Sequence, residues 1–280
     1  MLVASLYDRL LGMVFGLVAS VERVAQPDTK IAIEDNPYLQ TWVASVIGLH
    51  HTLRDSPQDQ WTLDPRELIT HVVTDTWGNR TRSNLERVFA LVVGVFCWCD
   101  QEEILAIWRE VLSADCPEDT RAGIDVFTIV LRSFLHEPPG RTIWLPLKRK
   151  TTIAALRDFA PEALTELQLT KYSMSRQNSD VFLASTAIAC QLPWYSSACQ
   201  LARRQRQPLE SIAIIGSLLG AAFGSIAFQE NQRALKHANE YQQAVATAIA
   251  PLWKLLTGSG DDRVLATVSL PVECVLSRGG

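Results

Sequence analysis

Most hydrophobic positions of this chain recur at the spacing of an α-helix, in which apolar residues three, four and seven positions apart line one face. The N-terminal segment shows this pattern at Leu6, Leu10, Met13, Leu17 and Val21. Residues 88–99 (VFALVVGVFCWC) are apolar on all sides, which is typical of a helix at the centre of a bundle. Roughly ten helical segments and almost no strand pattern predict an all-α fold.

Two segments interrupt the helical pattern. Residues 136–150 contain three prolines, a glycine and the basic run Lys148-Arg149-Lys150, and we interpret them as a long surface loop. Residues 257–262 (TGSGDD) are interpreted as a hinge, and the alternation of apolar residues after it predicts a short extended segment. Neither interruption requires a second domain. We therefore predict one compact helical domain over residues 1–256, followed by the hinge and an extended C-terminal tail over residues 257–280.

The pattern LLGxxFG occurs twice, at residues 10–16 and 218–224, and the second copy is preceded by Gly216. A glycine inside a helix costs about 1 kcal/mol relative to alanine, so a stripe of glycines four residues apart needs a compensating contact. A stripe without side chains allows another helix backbone to approach closely. Gly12, Gly16 and Ser20 have the same spacing. We predict that the late helix packs against the N-terminal helix through these two stripes, with an internal repeat as the alternative explanation.

The composition limits the classes of function. The formal net charge of −4 argues against general nucleic-acid binding, which needs a basic face. The six cysteines include no C-x-x-C pair and mostly lie in apolar runs, as in a reduced, cytoplasmic protein with buried thiols, and we interpret the C-x-C of Cys97 and Cys99 as core residues. Residues 212–228 carry no charge over 17 positions and follow the basic cluster Arg203, Arg204 and Arg206. We favour a buried core helix here over a membrane span.

Seven of the eight tryptophans fall into two sets. Three fall on apolar helix faces and are expected in the core: Trp42, Trp98 and Trp108. Four lie near predicted loops, where they either anchor a partner or pack over helix ends: Trp61, Trp77, Trp144 and Trp194.

Two segments of the chain carry a family resemblance. Residues 9–17 have the form R-x-L-G-x-x-x-G-L, and residues 212–224 (IAIIGSLLGAAFG) are a late helix rich in small residues. Together with residues 34–50, they resemble the ADP-ribosylglycohydrolase family over about residues 5–230. The resemblance implies an all-α fold. Active members of that family hydrolyse the bond between ADP-ribose and its acceptor, with two magnesium ions held by a D-D-T turn and a D-T-D-T turn.

The chain departs from the family at both metal-binding turns. The first turn falls on residues 34–36 (EDN) and the second on residues 208–211 (PLES), where proline and leucine cannot ligate through their side chains. Magnesium takes oxygen ligands, and a dinuclear site needs several carboxylates close together. The candidate ligands of a vestigial site are Glu34, Asp35, Glu210 and Ser211, and the candidate catalytic groups are the three carboxylates among them. An ordinary acidic loop and an ordinary helix start are the alternatives.

These observations predict a degenerate ADP-ribosylglycohydrolase-like protein that is catalytically inactive and acts as a binding or regulatory module. We expect a protein partner, with an ADP-ribose-like small molecule as a further ligand, and no cofactor, a single magnesium ion being the alternative. Two other functions stay open. One is an active magnesium-dependent ADP-ribosyl hydrolase with a remodelled site. The other is a membrane-associated protein that inserts residues 212–228.

Overall fold

The computed structural model describes residues 6–25, 66, 70, 73–74, 83–98, 101–136, 180–192, 194–228, 243 and 246–247. These residues form seven α-helices and one short 3-10 helix, and no strand is found among them. The all-α prediction is therefore confirmed for this part of the chain. The predicted tail, the hinge at 257–262 and the predicted loop after His136 lie outside the described residues.

The helices belong to two compact units, each built from two segments of chain. The helices are α1 (Leu6–Ala25), α2 (Asn84–Trp98), α3 (Glu102–Ser113), α4 (Glu118–His136), α5 (Val181–Gln191), α6 (Tyr195–Arg204) and α7 (Leu209–Phe223), followed by the 3-10 helix Gly224–Phe228. The first unit combines residues 1–30 with 115–242, and the second combines residues 31–114 with 243–280. Helices α2 and α3 belong to the second unit and the other five to the first.

Helix α7 is the central helix of the first unit. Every residue from Ser211 to Ala222 is buried, because α1, α4, α5 and α6 all pack against the helix. A helix covered on all sides needs an apolar surface all round, which the sequence of α7 provides. The α-helix ends at Phe223, because Gly224 adopts a φ of 68°, a conformation that residues with a side chain rarely take. The charge-free segment 212–228 is thus a buried helix followed by a 3-10 turn.

The predicted contact between the N-terminal helix and the late helix is confirmed. A Cβ atom added to Gly12 would lie 2.5 Å from the carbonyl carbon of Gly224 and 2.7 Å from the carbonyl oxygen of Gly220. A Cβ atom added to Gly16 would overlap the carbonyl group of Gly216. These distances are far inside van der Waals contact, so the two backbones touch along the glycine stripes. The stripes let α1 and α7 approach more closely than any side chain would allow.

Aromatic rings surround the end of this contact. The ring of Phe228 packs edge-to-face on both Phe15 and Tyr195, with centroid distances of 5.1 Å and 5.0 Å. It also lies where a side chain on Gly16 would have to go. The 3-10 turn therefore brings a ring back onto α1, which fixes the end of α7 against it. The side chain of Ser20, the third predicted position of the α1 stripe, lies outside the described side chains.

The second unit has its own close contact, between α2 and α3. The indole of Trp108 occupies the space beside Gly94, and its Nε1 donates a hydrogen bond of 2.8 Å to the carbonyl oxygen of Ala90. Trp98 packs beside it at a centroid distance of 5.2 Å. The prediction that Trp98 and Trp108 are core residues is confirmed, whereas Trp42 lies outside the described residues.

Two buried arginines close the ends of helices. In the first unit, Arg9 of α1 donates to the carbonyl oxygen of Phe134, at 3.1 Å, in the last turn of α4. In the second unit, the Nε of Arg87 donates to the carbonyl oxygen of Leu112, at 3.3 Å, in the last turn of α3. The last carbonyls of a helix have no partner within the helix and carry partial negative charge, so a guanidinium group is well suited to them.

The described cysteines agree with the prediction of buried thiols. All four are free and buried: Cys97, Cys116, Cys190 and Cys199. Burial raises the pKa of the Cys190 thiol to about 12, which keeps it protonated and unreactive. Cys99 and Cys274 lie outside the described residues. Within the described part of the chain, no helix is both long and apolar enough to cross a membrane.

Candidate functional site

The predicted vestigial metal site is described at only one of its two turns. Glu34 and Asp35 lie outside the described residues. Glu210 and Ser211 both lie in the first turn of α7, which begins after Pro208. The structure therefore describes the surroundings of the candidate ligands at the second turn only.

The start of α7 is an ordinary helix start in its geometry. Pro208 is extended, with φ −69° and ψ 172°, and its carbonyl oxygen accepts a hydrogen bond of 3.1 Å from the backbone N–H of Ser211. Pro208 offers no side-chain acceptor to the free N–H groups of the first turn. The half-buried carboxylate of Glu210 supplies negative charge there instead, where the helix dipole favours it. Stabilisation of the helix start thus accounts for Glu210 without a metal ion.

Ser211 is enclosed in the core of the first unit. Its side chain is fully buried, and its hydroxyl oxygen has no hydrogen-bond partner in the described part of the chain. A magnesium ion usually keeps several water ligands in octahedral array. A hydroxyl oxygen that no water molecule can reach has no space beside it for such a hydrated ion. Ser211 could ligate a metal only after the start of α7 moved.

The described half of the site therefore does not fit a magnesium pair. It offers a single accessible carboxylate, that of Glu210, where two ions need several carboxylates. Among the described residues, no group of three histidine, cysteine or acidic side chains is arranged to hold a metal ion. We derive no chemical step through a metal at this turn.

Two further buried hydroxyls, on α5, were not identified from the sequence. Ser185 and Thr186 are fully buried, and neither hydroxyl has a hydrogen-bond partner in the described part of the chain. Consecutive helix residues project about 100° apart, so the two hydroxyls face different neighbours and do not form one polar pocket. Their sequence context, an apolar helix that packs on α4 and α7, gives no signal beyond burial.

Asp180 is a half-buried carboxylate with a structural role. It caps α5 by accepting hydrogen bonds from the backbone N–H groups of Phe182, at 2.8 Å, and Leu183, at 3.3 Å. Its side chain also bonds to Thr120 and fills the space beside Gly123 on α4. Desolvation raises the pKa of the Asp180 carboxyl in spite of these bonds. Asp180 thus joins the start of α5 to α4.

One exposed surface stands out in the first unit. Trp194, which precedes α6, is 61 % exposed and is the one large hydrophobic residue found exposed among the described residues. Arg203, Arg204 and Arg206, at the other end of α6, are exposed as well. The sequence pattern placed Trp194 near a loop and showed the basic cluster, but it did not indicate that the two lie near the same helix. The structure connects them because Trp194 directly precedes α6 and the three arginines lie at or just beyond its last turn.

Comparison with known proteins gives no match for this chain, whether with protein-family models, with curated proteins or with solved structures.

Proposed function

We propose that this protein is an ADP-ribosylglycohydrolase-like helical scaffold that has lost hydrolase chemistry and acts by binding a protein partner. The observation that carries the proposal is the enclosed hydroxyl of Ser211 beside Glu210, the one accessible carboxylate that the described residues place at this turn. A turn that holds metal must present its oxygens to an open space. This turn instead buries one oxygen in the core and uses the other at a helix start.

The scaffold side of the proposal is supported by the packing of α1 on α7. The two segments that resemble the family, residues 9–17 and 212–224, are far apart in the sequence. They are brought together by the contacts of Gly12 and Gly16 with the glycines of α7. Small residues at these positions serve helix packing, which a protein keeps whether or not it retains catalysis.

The proposal is tested by assaying the full chain for release of ADP-ribose. Arginine-linked, serine-linked and acetyl-ester-linked ADP-ribose are the substrates, each with and without magnesium. We expect no release, and we expect Glu210→Gln to behave like the unaltered chain in every reaction. Magnesium-dependent release that Glu210→Gln abolishes would refute the proposal and make the protein an active hydrolase.

Binding is measured separately by isothermal titration. ADP-ribose is titrated into the chain without magnesium, and magnesium is titrated alone. Retained ADP-ribose binding would make this nucleotide a ligand of the scaffold. Two tightly bound magnesium ions would contradict the proposal, because the described half of the site does not offer the ligands for them.

A further inference from the structure

We infer that the outer surface of α6 binds an acidic segment of a protein partner. This surface, called the α6 surface below, consists of Trp194, Ser197, Gln200, Arg203, Arg204 and Arg206. All six residues are exposed. Trp194, Ser197, Gln200 and Arg204 follow one another along one side of α6, with Arg203 at the edge of that side and Arg206 just beyond the end of the helix. The inference rests on the proposed function in that it names the surface through which the scaffold acts.

The charge of the α6 surface has no counter-ion among the residues that the structure describes. Residues 181–209 contain no aspartate or glutamate, although the chain as a whole is acidic, with a formal net charge of −4. The side chains of Arg203, Arg204 and Arg206 form no ion pair within the described part of the chain. Three exposed guanidinium groups without a counter-ion attract carboxylates, which they can bind through paired hydrogen bonds.

Arg206 is held in a conformation that glycine usually occupies. Helix α6 ends with the backbone N–H of Gln207 bonded to the carbonyl oxygen of Ala202 at 3.0 Å, and Arg206 has a φ of 57°. Residues with a side chain are strained in this left-handed region, and helices commonly end there on glycine. An arginine at this position therefore makes the helix end less stable than a glycine would, and it adds a third positive charge to the surface.

Trp194 defines the other end of the surface and the length of the ligand. Arg204, on the same side of α6, lies ten positions after it, which corresponds to about 15 Å along a helix. An extended peptide covers that distance in about four residues. The surface thus fits a segment in which an apolar residue precedes a pair of acids by about four positions. Tryptophan and arginine are also the residues that most often dominate the binding energy of interfaces.

A lipid surface fits these features less well. Anionic membranes are recognised by clusters of about four to eight basic residues or by helices with an apolar face to insert. The α6 surface has three arginines, and between Trp194 and Arg203 its exposed residues are Ser197 and Gln200, which have no apolar group to bury in lipid.

The test uses the full chain and a fluorescein-labelled peptide that places a phenylalanine about four residues before a run of glutamates. A reference peptide has lysines in place of the glutamates. Fluorescence anisotropy should show binding of the acidic peptide alone, weakened when NaCl is raised from about 0.05 M to about 0.5 M. We expect Arg203→Glu with Arg204→Glu, and separately Trp194→Ala, each to weaken binding about tenfold.

Arg206→Gly separates a binding role from a structural one. It should raise the melting temperature by about 2–4 °C, because glycine relieves the strained φ. It should also weaken peptide binding about threefold to fivefold, whereas Arg206→Lys should keep most of the binding. The matched control is Arg66→Glu, since Arg66 is an exposed arginine paired with Glu110 in the second unit. Beside it, Arg204→Glu should weaken binding and Arg66→Glu should not.

Equal binding of the two peptides, or equal effects of Arg204→Glu and Arg66→Glu, would overturn the inference. So would the absence of peptide binding together with arginine-dependent binding to vesicles that contain about 30 % phosphatidylserine, which would make the surface a lipid contact. Either result would leave the proposed function intact. Release of ADP-ribose in the hydrolysis assays would refute the proposed function and leave the α6 surface unaffected.

Discussion

The contact between α1 and α7 is tested by Gly12→Ala, the smallest change that places a side chain between the two helices. The new Cβ atom would lie 2.5 Å from the carbonyl carbon of Gly224, 2.6 Å from its Cα and 2.7 Å from the carbonyl oxygen of Gly220. All three are backbone atoms, so no side chain can rotate away. The helices would have to separate by about 1 Å to restore contacts of about 3.5 Å.

The expected change in the free energy of unfolding combines the cost of separating the two helices with the gain in helix propensity. A separation of about 1 Å forfeits up to about half of the dispersion energy between the facing atoms. Overpacking of this kind costs about 3 kcal/mol when the backbone must move. Alanine offsets about 1 kcal/mol of that, because it is the better helix former. The free energy of unfolding should therefore fall by about 2 kcal/mol, and the melting temperature by about 4–8 °C.

The measurement is urea and thermal unfolding followed by circular dichroism at the helical band. Ser217→Ala is the matched control on α7, because Ser217 is buried and its hydroxyl donates within its own helix, to the carbonyl oxygen of Ile214 at 3.0 Å. The control should change the free energy of unfolding by less than about 1 kcal/mol. If Gly12→Ala is as stable as the unaltered chain or more so, helix propensity dominates and the close backbone contact is wrong.

Substitutions at three further positions test two polar groups of the first unit and the core of the second. Asp180→Asn keeps the cap of α5 and removes a carboxyl whose folded-state pKa is raised, so the variant should keep the stability that the unaltered chain loses as pH rises through that pKa. Asp180→Ala should be about 1 kcal/mol less stable than Asp180→Asn at all pH values, because it lacks the cap. Parallel pH profiles of the unaltered chain and Asp180→Asn would contradict the reasoning. Ser211→Ala removes an unbonded buried hydroxyl and should raise the free energy of unfolding by about 1 kcal/mol; a loss of stability seen only with added magnesium would indicate a ligand role. Trp108→Phe removes the hydrogen bond to Ala90 and leaves a cavity, so the free energy of unfolding measured in urea should fall by about 2–3 kcal/mol. An equal loss of stability in Trp194→Phe, at an exposed position, would contradict this explanation.

The features that sequence predicted correctly are those in which one local pattern determines the result. The spacing of Gly12, Gly16, Gly216 and Gly220 is visible in the chain, and glycine at helical spacing has few explanations other than a close backbone contact. The all-round apolar run at 88–99 likewise predicted a buried helix, and the structure buries residues 87–98 of α2. Here the local sequence and the tertiary environment point to the same answer.

Other features depend on partners that are distant in the sequence. The side chain of Asp180 fills the space beside Gly123 because α5 packs on α4, and no spacing rule connects the two residues. The burial of Ser211 is equally invisible, because serine after Pro208 and Glu210 reads as an ordinary first-turn residue. A ligand set inferred from residue types alone cannot show whether an oxygen faces an open space or the core.

Arg9 is a residue of the R-x-L-G pattern whose role in the structure is to bond the end of another helix. It opens the R-x-L-G pattern, yet its guanidinium is buried and donates to Phe134 at the end of α4. Arg87 does the same at Leu112 in the second unit, where no family motif is present. Hydrogen bonding to the last carbonyl groups of a helix is thus sufficient to explain a buried arginine. Close packing of two helices is likewise sufficient to explain Gly12. The residue types at these positions are therefore explained by helix packing, without a catalytic role.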